Sequence, residues 1–219
     1  MHWSATVAYC VGLITTDGCL SGDGRHIEFT SKDLELVETV KRYLGPQNRI
    51  GTKGRGGGPQ RYFRIQIGNV ELYRWLCSLG LTPRKSLTLG SLDIPDTFFA
   101  DFFRGCLDGD GNIMAYQDSA FPNSLRLYVR LYSASRPHLD WQQATLTRLW
   151  SLKGYQTTVP RAFRLNYAKR ESLNLLGRLY YASDVVCLLR KRRIAENVLT
   201  REAGVVKLAN TRVSEARAE

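Results

Sequence analysis

The sequence predicts an α+β protein in which one unit is built twice. Two observations carry this. The stretch YCVGLITTDGCL at residues 9–20 and the stretch FFRGCLDGDGNI at 102–113 superimpose Gly12 on Gly105, Asp17 on Asp110 and Gly18 on Gly111, at a constant offset of 93. The segments after each copy also correspond, alternating apolar–polar stretches interleaved with stretches of helical period.

Each half reads helix–strand–strand–helix–strand–strand–helix. In the first, the motif is followed by RHIEFTSK, a strand with partial alternation. Leu34, Val37, Val40 and Leu44 then fall at helical spacing, with Gly45 as the stop signal. A glycine-rich turn from Gly51 to Gly58 precedes the alternating strand YFRIQI. Asn69 caps a helix through Leu79 that Gly80 ends, and TPRKSLTL follows. In the second half, Ser124 to Tyr132 alternates clearly. Pro137 opens a helix with Leu139, Leu146, Leu149 and Trp150 on its apolar face, stopped by Gly154. AFRLNY is the matching strand and Ser172–Tyr181 the matching helix, after which LRKRRIAENVL takes the place of TPRKSLTL. The halves are therefore 1–95 and 96–199, joined at Leu92-Asp93-Ile94-Pro95. Residues 200–219 are polar and aperiodic, a loosely attached helix or tail.

Composition narrows the function classes. The 219 residues are 43% hydrophobic, enough for a packed core. They carry a net charge of +11, with +4 on residues 1–95, +6 on 96–199 and +1 on 200–219. The excess lies in the folded body, and a polyanion, above all nucleic acid, is the expected partner. No apolar run approaches membrane-spanning length. The start Met1-His2-Trp3-Ser4 has no basic segment leading into an apolar core, so neither a signal peptide nor secretion is expected. Five cysteines without a CxxC pair argue for a reducing compartment, not for a disulfide framework or a zinc site.

The duplicated motif carries the chemistry. Gly12 and Thr16, and Gly105 and Gly109, are small residues four apart, which clears one helix face for close backbone approach. Each helix would end at an aspartate followed by glycine. Packed side by side, the two would hold Asp17 and Asp110 together at neighbouring C-termini, where the helix dipoles are negative too. Such an arrangement calls for a cation. Hard oxygen donors suit Mg²⁺, or Mn²⁺ in its place, and in a basic protein they point to metal-assisted phosphodiester hydrolysis.

These paired stretches, VGLITTDG and RGCLDGDG, resemble the LAGLIDADG homing endonucleases in their single-chain, two-motif form. The similarity spans roughly residues 5–199. The second motif is the closer match, because Thr15 stands at a motif position where the second copy has Asp108. The resemblance implies two αββαββα halves packed through the motif helices, with saddle-like antiparallel sheets facing DNA. It implies that Asp17 and Asp110 are catalytic, metal-binding carboxylates, and that the backbone carbonyls of Thr16 and Gly109 complete the metal shell. It also implies a basic residue near each scissile phosphate. PRKSLTL and LRKRRIA align on their Arg-Lys pairs, which points to Lys85 and Lys191, with Arg84, Arg190, Arg192 and Arg193 as neighbouring rivals.

DNA contacts should fall to the alternating strands, where Arg and Gln can read base edges and Lys can hold phosphates. The candidates are Arg25, Glu28, Thr30, Lys32, Arg61, Arg64 and Gln66 in the first half. In the second they are Gln117, Arg126, Tyr128, Arg130, Arg161, Arg164, Asn166 and Lys169. The expected protein is thus a monomeric, site-specific endonuclease that makes a double-strand break in a long DNA target, encoded within an intron. The alternatives are an RNA maturase that acts on its own intron RNA, and a DNA-binding regulator without catalysis. The expected setting is a bacterial or archaeal cytoplasm or a protein-synthesising organelle, away from membranes.

Other signals reduce to plainer readings. Residues 51–58 lack phosphate-loop spacing and read as a hairpin tip. Asp108 to Asn112 hints at a calcium loop, but its twelfth position is Ser119 where a bidentate Glu is needed. His2, His26 and His138 are scattered. Trp75, Trp141 and Trp150 read as core, as do Cys10 and Cys106.

Overall fold

The computed structural model describes residues 1–54, 61–119 and 125–215, with side chains as far as residue 203 apart from that of Arg61. Helix α1 (Ala5–Asp17) starts at Ser4, whose hydroxyl accepts from Val7 N at 3.2 Å. It runs directly into β1 (Gly18–Leu20), then β2 (His26–Ser31), α2 (Leu34–Leu44), β3 (Ile50–Gly54), β4 (Arg61–Gly68) and α3 (Val70–Ser78). The second half repeats the order: α4 (Phe99–Asp110), β5 (Gly111–Gln117), β6 (Leu125–Ser133), α5 (Arg136–Trp150), β7 (Tyr155–Val159), β8 (Ala162–Tyr167), α6 (Lys169–Leu179) and α7 (Leu189–Glu215). Two antiparallel sheets result, ordered β1-β2-β4-β3 and β5-β6-β8-β7.

Alternation places one face of each sheet in the core. Ile27, Phe29, Ile65 and Ile67 point inward in the first half, and Leu127, Val129, Leu131 and Leu165 in the second. Helices α2, α3, α5 and α6 bring Val37, Leu72, Leu139 and Leu176, among others, into the same core. The motif helices α1 and α4 lie at its centre. Consecutive residues Ala8 to Thr15 and Phe102 to Asp108 are all buried, and α1 accordingly shows no amphipathic stripe. Among the described residues no helix is long and apolar enough to cross a membrane.

Several boundaries differ from the sequence reading. The sequence order of two strands before and two after each middle helix holds, but only one strand of each pair has a pattern that places it; β1, β3, β5 and β7 are short, glycine-bearing or exposed. Residues 51–54 of the glycine-rich segment form β3 rather than a turn, while residues 55–60 lie outside the described residues. Helix α5 stops at Ser151, whose left-handed backbone (φ 57°) turns the chain before Gly154 does the same at φ 55°. Helix α6 begins at Lys169 rather than Ser172. The polar tail is no separate element as far as Glu215, because α7 continues through it. TPRKSLTL holds only a 3₁₀ turn at Lys85–Leu87, so the two halves close differently. Trp75, Trp141 and Trp150 pack against the core, and Cys10 and Cys106 are buried within it, as expected.

Candidate active site

Among the described residues, the most extensive contact between helices joins α1 to α4. Gly12 and Gly105 make it possible. A Cβ on Gly105 would fall on the Tyr9 carbonyl and lie 3.1 Å from Gly12 Cα, and one on Gly12 would fall on the Phe102 carbonyl. Gly109 differs, since a side chain there would strike the Thr16 side chain and come within 3.2 Å of Asp17 Oδ2. Thr16 fills the room Gly109 leaves, with its hydroxyl donating to Leu13 O at 2.9 Å.

Both helices end at their aspartate and become strand at the next residue. The glycine there is dictated by packing, not by a left-handed turn. A Cβ on Gly18 would sit 2.7 Å from Ile14 Cα, and one on Gly111 2.8 Å from Leu107 Cα. Glycine therefore lets the strand fold back on the last helical turn directly after the carboxylate. Asp17 and Asp110 consequently lie near enough at neighbouring helix ends for the charge of Asp110 to act on Asp17. Burial, then repulsion from Asp110, pushes the Asp17 carboxyl up to about 7, against the pull of Lys191 and Lys85. Asp110 is exposed at its outer edge, yet partial desolvation raises its carboxyl too, against the pull of Lys85 and Lys191.

Lys85 and Lys191 are both buried and both serve these helix ends. Lys85 Nζ donates to Gly18 O. Lys191 Nζ donates to Leu107 O, Asp108 O and Gly111 O at 2.5, 2.9 and 2.7 Å. A cation at the negative end of a helix is favourable, and here it also satisfies carbonyls that have no partner within the helix. Desolvation lowers both lysines, Lys191 to about 8. The neighbouring arginines are directed elsewhere: Arg190 pairs with Asp33 at 2.8 Å and Arg192 with Glu196 at 2.7 Å.

Two positioning residues escaped the sequence reading. Asp108, fully buried, accepts from Tyr9 Oη at 2.8 Å and from Leu188 N, just before α7, at 2.7 Å. Arg104 donates to Asp101 at 2.6 Å and to Leu179 O and Val186 O at 2.7 and 2.8 Å. Together they fix the start of α7, and with it Lys191. The i,i+3 pairing of Asp101 with Arg104 was a legible signal; the distant carbonyls were not.

The donor set fits a hard divalent cation. Two carboxylates of one sign are held together at a loss that a cation would relieve. Among the described residues no cluster of three or more His, Cys, Asp or Glu gathers, so backbone carbonyls and water would have to complete the shell. The carbonyls of Thr16 and Gly109 lie one residue before each carboxylate. A cleft of about 440 Å³ opens beside Asp17, lined by Thr16, Thr30, Lys53, Tyr62 and Lys85.

That cleft joins the carboxylate to the outer face of the first sheet. Glu28 and Thr30 on β2, and Arg64 and Gln66 on β4, share this face in register. Glu28 holds Lys53 at 3.1 Å and Arg64 at 3.4 Å, and Lys32 lies over the Tyr62 ring. In the second sheet Arg126, Tyr128 and Arg130 project outward together, as does Arg164 on β8, and Arg130 stacks on Tyr128. The remaining candidates sit elsewhere. Gln117 pairs with inward-pointing Leu125, so it falls on the core-facing parity; Asn112, Met114 and Tyr116 occupy the outer face of β5 instead. Asn166 has the outward parity but is fully covered, its amide spent on Tyr155 O, Thr157 Oγ1 and Arg164 O. Lys169 is on α6, not a strand, and pairs with Glu202 at 2.8 Å. Arg25 and Arg161 belong to turns, the latter with φ 63°. The side chain of Arg61 lies outside the described residues.

Comparison with known proteins places this geometry. A profile of the LAGLIDADG-like domain matches residues 5–79. The fold is shared with the homing endonuclease I-WcaI, solved bound to its DNA recognition sequence (TM-score 0.61, 10% identity, 88% of each chain). It is shared with the homing endonuclease I-DmoI (TM-score 0.53, 14% identity, 81% of this chain and 96% of that one). Full-length WhiA from Thermatoga maritima also has it (TM-score 0.56, 15% identity, 100% of this chain and 71% of that one). No curated protein matches the sequence significantly. The first half of the chain thus matches the LAGLIDADG-like domain over residues 5–79, the motif recurs at Asp110, and the fold as a whole is the one seen in these homing endonucleases and in WhiA.

Proposed function

We propose that this protein is a homing endonuclease that cuts both strands of a long double-stranded DNA site with a divalent metal, Mg²⁺ or Mn²⁺. The observation that carries the reading is the retention of both aspartates where α1 and α4 end together, each beside a buried lysine. A fold alone would not require this: a protein that only bound nucleic acid would have no use for two crowded carboxylates. Asp17 and Asp110, with the carbonyls of Thr16 and Gly109, would hold the metal, which when bound supplies an activated water and charge stabilisation at the scissile phosphate.

The chain's own residues do the rest. The outer faces of the two sheets present Arg64, Arg126, Arg130 and Arg164 to the duplex, with Gln66 and Tyr128 among them for base edges. Lys85 and Lys191, held at the helix ends, keep positive charge beside the carboxylates where negative charge develops on the phosphate. Encoding within an intron and action as a monomer belong to the same proposal. One finding favours a second reading, a nucleic-acid-binding protein without cleavage: WhiA, whose structures are not described as endonucleases, matches this chain along its whole length.

The test is cleavage of a randomised plasmid library in Mg²⁺ with sequencing of the ends. The endonuclease reading expects one long recurrent site cut on both strands, with short 3′ overhangs. Binding to a defined site with no cut in Mg²⁺ or Mn²⁺ favours the second reading.

A further inference from the structure

Behind Asp110 the two halves are not alike. Helix α2 buries Leu36, Val37, Val40 and Leu44. At a constant offset of 102, α5 buries His138, Leu139, Gln142 and Leu146. Gln142 thus stands where the first half has Val40. It is 0% exposed, its Nε2 reaches only Cys106 Sγ at 3.6 Å, and its Oε1 has no hydrogen-bond partner. A buried amide oxygen left so is unfavourable, and a helix face that reads as apolar in one half and amide-bearing in the other calls for a reason.

The reason lies in the space beside it. Gln142 lines a cavity of about 20 Å³ together with Thr15, Thr16, Cys106, Asp110 and His138. A site of roughly 10–15 Å³ holds one water if polar partners face it. The hydroxyls of Thr15 and Thr16 are already engaged with Val11 O at 2.8 Å and Leu13 O at 2.9 Å. His138 Nδ1 is paired with Gly90 O at 2.8 Å. Tyr132 and Ser133 also line the space, but Ser133 Oγ accepts from Ser135 N at 3.1 Å and neither hydroxyl bonds Gln142 Oε1, which leaves that oxygen and the Asp110 carboxylate, both acceptors, without a donor. Whatever joins them must donate twice, as water does.

We propose that one ordered water occupies this cavity, donating to Gln142 Oε1 and to the Asp110 carboxylate, and that Gln142 is thereby a positioning residue for Asp110 alone. Asp17 has no counterpart, because Val40 offers no polar group. The two carboxylates are then held to different tolerances, and the second half's centre depends on a contact that the first half does not make. The consequence for strand cleavage rests on the endonuclease reading; the water and its effect on metal binding do not.

Gln142→Met keeps the length and volume of the side chain and removes the acceptor. A crystal structure of the wild type at a resolution that shows water is expected to place one within hydrogen-bond distance of both Gln142 Oε1 and Asp110. In the variant, the melting temperature should stay within a few degrees of the wild type, which shows that the fold is kept while the water loses one of its two acceptors. Calorimetric titration with Mn²⁺ alone should show affinity reduced about tenfold, the lower end of what loss of an outer-shell partner removes from a metal site. On a plasmid carrying the target, one strand should be cut at the wild-type rate and the other about tenfold slower, so that nicked circles accumulate. No bridging water in the wild type, or Mn²⁺ affinity and strand rates unchanged in the variant, overturns the proposal. A wild type that cuts no DNA defeats the endonuclease reading, while the water and the Mn²⁺ titration still decide this one.

Discussion

Gly12 and Gly105 face each other across the two motif helices so closely that a methyl group on Gly105 would lie 3.1 Å from Gly12 Cα and on top of the Tyr9 carbonyl. The obstacle is backbone, which cannot rotate away. Overpacking a core typically costs 1–3 kcal/mol, and an immovable neighbour puts Gly105→Ala at or above the upper end, about 3 kcal/mol. Chemical denaturation checks this against Gly22→Ala, whose added Cβ meets nothing within 4 Å. Equal stability of the two variants would mean that the helices do not approach as described.

The lysines should separate by stability. Lys191 donates to three carbonyls, of which only Leu107 O also accepts from the Gly111 backbone N–H at the helix end, and Lys85 donates to one. Each buried acceptor left without a donor costs about 1–3 kcal/mol. Lys191→Met is expected to destabilise clearly more than Lys85→Met in denaturant titrations.

His138 should report pH. Burial lowers its pKa from 6.5 to about 4. Between those values the unfolded chain binds the extra proton, so its contribution to stability is full above 6.5 and is lost as pH falls towards 4. At 1.36 kcal/mol per unit the whole effect is on the order of 3 kcal/mol. The raised carboxyls Asp17 and Asp108 act in the opposite direction, losing stability as pH rises through the same range. The check is therefore the difference between wild type and His138→Gln, which should grow from pH 4 to pH 7. A flat difference would show that the imidazole is not desolvated.

Much of this was legible in the sequence, for identifiable reasons. The two Asp-Gly junctions, the small residues between the helices and the Arg-Lys pairs are local patterns repeated at matching places. Alternation put Arg126, Tyr128 and Arg130 on one face and core residues on the other. It failed for Gln117 and Asn166, because parity says nothing of register at a strand's end or of what covers a side chain. Asp108, Arg104 and Gln142 act through residues 36 to 99 positions away, a distance no spacing rule spans. Strands such as β1 and β3, with two glycines in the five residues of β3, lack the pattern that marks a strand.

Glu28 restrains two cations on the outer face of the first sheet. Glu28→Gln should release Lys53 and Arg64 and strengthen binding to non-specific DNA at low salt. It should also steepen the salt dependence by up to about 0.9 in log–log slope for each further phosphate that the freed cations neutralise. Fluorescence anisotropy over a salt series measures both. An unchanged slope would place this sheet face away from the duplex.

The central claim is that Asp17 and Asp110 form one metal-dependent cleavage centre. The direct measurement is cleavage of the selected target plasmid in Mg²⁺ by wild type, Asp17→Asn and Asp110→Asn, with binding to the same site followed in parallel. Wild type should linearise the plasmid, and each variant should bind with little change while its cleavage rate falls at least a hundredfold, roughly 2.7 kcal/mol of barrier. Wild-type cleavage by either variant would contradict the claim.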